Sequence, residues 1–156
     1  MISKDNTKMT LAAGAIAAAV AQADSAEVNK ALEALKTYDW GADRNALKPI
    51  DRAITGAQGN AAALKPLEKG LLDALAGGIS RSALDYVCRK LRVIGTSRSV
   101  ALLAALLADE KTSHIARYAL ERIPDEEAAQ AMRKALPRVA AKLKIGMIGS
   151  LGTRRD

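Results

Sequence analysis

The sequence predicts an all-α fold, and three observations lead there. Helix formers dominate: the apolar fraction of 49% is mostly Ala and Leu, Phe is absent, and aromatics reach only 3%, which leaves strands little to build with. From Asp24 onward apolar residues recur at helical rather than alternating spacing. In the second half a unit of about thirty residues returns, the mark of stacked helical hairpins.

The N-terminal stretch leaves two readings open. Lys4 and Lys8, the uncharged run Met9 to Val20 and the small-residue site Ala21-Gln22-Ala23 have the form of a cleaved signal peptide, which would place the protein outside the cytoplasm, in the periplasm of a bacterium. The other reading is an N-terminal apolar helix over 1–23 of a cytoplasmic protein. The run is too short to span a bilayer, so no integral membrane span is expected in the mature chain.

Residues 24–156 read as one helical domain, long enough to bury a sizeable core. Asp24 to Glu27 has the spacing of a capping box, followed by Val28, Ala31, Leu32 and Leu35. "TYDWGADRN" breaks the pattern, and Asp43 or Asn45 can cap the next helix. There Pro49 is tolerable only in the first turn, and Leu47, Ile50 and Ile54 form the apolar side. "TGAQGN" closes that helix. A third runs over 61–76, with a kink expected at Pro66 and an apolar side at Leu64, Leu67, Leu71 and Leu75.

Beyond Gly77-Gly78 three helix exits match: Leu91-x-x-Ile94-Gly95, Leu120-x-x-Ile123-Pro124 and Ile148-x-x-Leu151-Gly152, spaced by 29 and 28 residues. Recurrent seams accompany them, at Leu103, Leu106 and Leu107 and again at Met132 and Leu136. The predicted architecture is a right-handed α-solenoid of about seven to eight helices. "GTSRS" bridges two units, with Ser99 expected to cap the following helix. "GTRRD" then puts Asp156 at the matching position, so the chain is expected to be part, or a short member, of a longer array. Its end near Ile145, Ile148 and Leu151 should be under-covered.

The units resemble HEAT repeats. "DEKTSHIARYALERIPDEEA" and "KIGMIGSLGTRRD" carry most of a resemblance to bacterial HEAT-repeat proteins that covers roughly residues 84–156, and "ALEALKTYDWGADRNALKPIDRAI" is more loosely similar to the helices that precede such arrays. Asp109 and Arg117 occupy the turn Asp and second-helix Arg of that pattern, whereas the preceding unit has Gly77-Gly78 and Cys88 at those places. The resemblance implies an interaction scaffold whose second helices line the partner surface, with no enzymatic activity.

Charge gives that surface a sign. The formal net charge is +7, and it lies wholly in the second half: residues 1–78 hold 9 Lys/Arg and 9 Asp/Glu, residues 79–156 hold 15 and 8. A one-sided basic surface suits an acidic partner. Helical phasing turns Asp85, Tyr86, Arg89, Arg92 and Val93 outward on one second helix, His114, Tyr118 and Arg122 on the next, and Lys142, Gly146 and Ser150 on the last. The predicted partner-binding residues are therefore Tyr86, Arg89, Arg92, His114, Tyr118, Arg122 and Lys142. The plainer alternative is an Asp85–Arg89 pair on a solvated face.

Chemistry finds no footing. His114 is the only histidine, with no partners in a catalytic or metal-ligating arrangement, and Thr112 or Ser113 capping its helix accounts for the segment. Cys88 is the only cysteine and lies in an apolar helical pattern, so a packed, inert thiol is expected. No phosphate-binding glycine loop occurs, and no cofactor is expected. The function expected is a non-enzymatic scaffold that binds an acidic or extended protein segment. The alternatives are salt-sensitive, phosphate-driven nucleic-acid binding, which Arg154 and Arg155 would join, and a structural spacer.

Overall fold

A computed structural model describes residues 24–155, and within them the chain is all-helical. The expectations for residues 1–23 lie outside this range. The helices are α1 (24–37), α2 (Lys48–Gly56), α3 (Ala61–Ala76), α4 (Arg81–Ile94), α5 (Ser97–Ala105), α6 (Ser113–Leu120), α7 (Glu126–Ala135) and α8 (Ala141–Arg154). Short 3-10 turns at Arg44–Leu47 and Leu136–Arg138 precede α2 and α8. No helix among the described residues is long and apolar enough to cross a membrane.

The punctuation follows local chemistry. Asp43 caps the turn before α2 by accepting from the Asn45 N–H at 2.9 Å, and Pro49 falls in the first turn of α2, where its missing N–H costs nothing. Asn60 caps α3 and Ser80 caps α4 through their side chains. Pro66 sits inside α3. Gly78, at φ +77°, makes the left-handed bend into α4 that an L side chain would resist.

From α2 onward, helices pack mainly on near neighbours in the chain, and α2 meets α3. α3 meets α4 and α5, α5 meets α6 and α7, α4 meets α6, and α6 meets α8, with α7 also on α8. Leu35, Leu47, Ile50, Leu71, Leu91, Leu103, Leu107, Leu120, Ile123 and Met132 are fully buried along the middle. Polar links stitch neighbours together. Arg52 reaches Glu27 at 2.7 Å between α2 and α1, and Lys90 reaches Asp51 at 2.6 Å between α4 and α2.

Glu68 is the strongest of these links. It is 2% exposed, on α3, and its carboxylate accepts the Thr96 N–H (2.7 Å), the Thr96 hydroxyl (2.9 Å) and the Ser99 hydroxyl (2.7 Å). The anion thereby sits against the positive end of α5. This overturns Ser99 as the cap: Thr96 accepts from the Arg98 N–H, while Ser99 is one turn in, buried, with its hydroxyl committed to Glu68.

Two other caps differ from expectation. Residues 24–27 are already helical, so Asp24 is no cap, and Glu27 serves Arg52 instead. At α6, Thr112 gives its hydroxyl to Leu106 O (2.8 Å) and Ser113 is buried; Asp109 shapes the approach, accepting the Lys111 N–H on its side chain and the Ser113 N–H on its carbonyl, both at 2.8 Å.

The third copy of the exit phrase does not exit. α8 continues through Gly152 to Arg154 and ends on Arg155 in the left-handed region. The Arg154 guanidinium fixes that last turn by donating to Leu120 O, Ile123 O and Asp125 O at the end of α6. Ile145 and Ile148 are exposed, as the under-covered end required, while Leu151 is half-buried.

Candidate functional site

The residues expected to face a partner separate into three groups. Arg89 and Arg92 on α4 and Tyr118 on α6 come together. The Arg92 guanidinium lies 4.4 Å from the Tyr118 ring centre and that of Arg89 5.9 Å, within cation–π range. Val93 beside them is 61% exposed, and Arg122, one turn beyond Tyr118, is exposed. Among the described residues no carboxylate pairs with Arg89, Arg92 or Arg122. The Asp85–Arg89 pair of the plainer alternative is not formed, since Asp85 bonds Arg81 at 3.1 Å.

Tyr86 is the clearest correction. It is 5% exposed, because α2 lies beside α4 and takes its hydroxyl: Tyr86 donates to Asp51 Oδ1 at 2.9 Å and lies 3.2 Å from Leu47 O. Burial, reinforced by the Asp51 carboxylate, pushes the phenol well above the ordinary tyrosine range. It holds the fold rather than the surface.

The third group, on α8, is turned by about one residue from its expected phase. Ser150 is fully buried, bridging Arg117 Nη1 (2.7 Å) and Glu121 Oε2 (2.8 Å) of α6. Gly146 is covered by the Arg117 guanidinium, 3.0 Å from where a Cβ would stand. Neither faces outward. Lys142 is exposed but is held by Glu110 at 2.5 Å. His114 is exposed and receives Arg117 Nη2 at 3.1 Å on Nδ1. Arg117 is thus spent on α8 and on His114, with Asp109 serving its own turn.

A feature that helical phasing could not reach adjoins Arg89. The loop 38–43 carries Trp40, 93% exposed, at the rim of a groove against the first half of α4. Arg44, Arg81 and Tyr38 also line it. The available signal was compositional: the only tryptophan in the chain sits in a break between helices, "YDWGADRN". Asp39 accepts the Trp40 backbone N–H at 2.8 Å, which holds its carboxyl below the usual range.

Cys88 is buried, and desolvation followed by the nearby Asp85 charge pushes its thiol up to about 12. Among the described residues no cluster of His, Cys, Asp and Glu could hold a metal ion. Comparison with protein-family models, with curated proteins and with solved structures finds no match to this chain.

Proposed function

We propose that the chain is a non-enzymatic interaction module, a HEAT-like solenoid of stacked hairpins, that binds an acidic or extended protein segment on the joint face of α4 and α6. The alternate packing of α3 on α5, α4 on α6, α5 on α7 and α6 on α8 supports the stacked reading. The observation that carries the binding reading is the trio Arg89, Arg92 and Tyr118 beside exposed Val93 and Arg122. It joins unneutralised cations, an aromatic ring and an aliphatic side chain on one face. Arg and Tyr are over-represented where truncation costs a complex most, and cations without carboxylates favour an anionic segment.

The test is a pull-down from nuclease-treated native extract, comparing wild type with the Arg89→Glu/Arg122→Glu double variant. Partners retained by wild type should be lost by the variant. Unchanged partners would remove this face from the account, and capture that disappears on nuclease treatment would favour nucleic acid instead.

A further inference from the structure

We propose that the groove between loop 38–43 and α4 is the anchor subsite of this face, taking one large apolar side chain of an acidic peptide against Trp40. The inference rests on the α4–α6 reading and extends it to a named contact, joined through Arg89, which lines the groove and also reaches Tyr118.

Trp40 leaves nearly all of a large amphipathic side chain in water, area of the kind that anchors interfaces when covered. Its frame is fixed. Ser80 Oγ, at the cap of α4, donates to Tyr38 O at 2.6 Å, and the Ala42 N–H donates to Asp39 O at 3.0 Å. Gly41 supplies the left-handed bend at φ +84°. With the loop backbone pinned, only the indole's own two side-chain torsions remain to be ordered when a partner covers it.

The groove is open to solvent and offers about 640 Å³, room for one large side chain. Its charges select the occupant. Arg81 and Asp85 neutralise one another at 3.1 Å, leaving Arg44 and Arg89 without carboxylates among the described residues. Asp39 and Asp43 stand outside the lining, their side chains accepting loop N–H groups. A groove lined by an indole and by two guanidiniums without carboxylate partners among the described residues fits an apolar residue flanked by Glu or Asp.

Because Trp40 is the only tryptophan, its emission reports this groove alone. The probe is a synthetic acetylated peptide of glutamates around one central leucine, with a fluorescent label at its far end. A leucine-free peptide, a lysine analogue and oligothymidylate serve as controls. Acidic peptide with leucine should give a saturable blue shift and protect Trp40 from acrylamide. Label anisotropy should show affinity falling about tenfold in Trp40→Ala and in Arg44→Glu, both surface changes that leave the core untouched.

Binding by anisotropy with unchanged Trp40 emission and full affinity in Trp40→Ala would overturn the subsite while leaving the α4–α6 reading intact. Loss of binding in Arg122→Glu together with Trp40 variants supports both. No binding by either readout would sink both. An equal shift with the lysine peptide refutes the charge argument, and a stronger one with oligothymidylate makes the groove a base-stacking site instead.

Discussion

Replacing Glu68 by Ala should cost about 3 kcal/mol of folding stability. Among the described residues the carboxylate is the only acceptor for the buried Ser99 hydroxyl and the Thr96 N–H, at 2.7 Å each. Hydrogen bonds to a charged group contribute roughly 1.5–3 kcal/mol apiece, and a negative charge at a helix N-terminus adds roughly 0.3–1 kcal/mol. The Thr96 hydroxyl can turn to water, because Thr96 is exposed. Two lost bonds plus the helix-end term come to about 5 kcal/mol. Relief from desolvating a carboxylate that is 2% exposed, with no cation against it, returns a part of that, and about 3 kcal/mol remains. Glu68→Gln keeps one acceptor oxygen and the volume, and should lose about 1 kcal/mol. Urea unfolding at neutral pH, followed by far-ultraviolet circular dichroism, measures both. A Glu68→Ala variant within about 0.5 kcal/mol of wild type would refute the reasoning, since that is the scatter of a neutral surface change.

Other outcomes follow from the same contacts. Gly149 lies inside α8 with nothing within 4 Å of where a methyl group would stand, so Gly149→Ala should raise stability by about 0.5–1 kcal/mol in the same unfolding assay. Gly95→Ala should do the reverse, losing about 1–3 kcal/mol, because its Cβ would press on Leu91 O and come within 3.1 Å of Ile123. Cys88 should resist thiol reagents at pH 8 in the native protein and react at once in urea, as its raised pKa keeps the thiolate scarce. Arg154→Ala should free the end of α6 and lower stability by about 1.5–3 kcal/mol, read by urea titration and by faster amide exchange over 120–125.

Helix existence, most breaks and the apolar residues that α2 with its leading turn and α3 bury, Leu47, Ile50, Ile54, Leu67 and Leu71, were legible because each depends on neighbours three or four residues away. Asp43 and Pro49 are local devices and stand where the sequence placed them. Glu68 was not legible. It follows Leu67 on an apolar helix, and its partners lie 28 and 31 residues onward, so only the packing of α3 on α5 reveals it. Ser99 was misread for the same reason. Tyr86 points outward on an isolated α4, and it is buried because α2 supplies Asp51 and Leu47 O.

α8 failed differently. Leu143, Ile145, Met147, Ile148 and Leu151 surround it, with glycines between, so no apolar face dominates and alignment to Leu91 and Ile94 set the phase. The structure instead buries Met147 and Ser150, drawn inward by Arg117 and Glu121. Arg89, Arg92 and Tyr118, which phasing turned outward, come together because α4 and α6 pack directly on one another. Trp40 escaped because a loop has no period to read.

Backbone amide shifts recorded while the leucine-centred glutamate peptide is titrated in would test the binding surface most directly. The expected result is a contiguous set of perturbed residues along α4 and α6, from Arg89 to Arg122, extending into loop 38–43, and fading as salt is raised. Perturbations confined to α5 and α7 or to the exposed isoleucines of α8, with α4 and α6 silent, would contradict it.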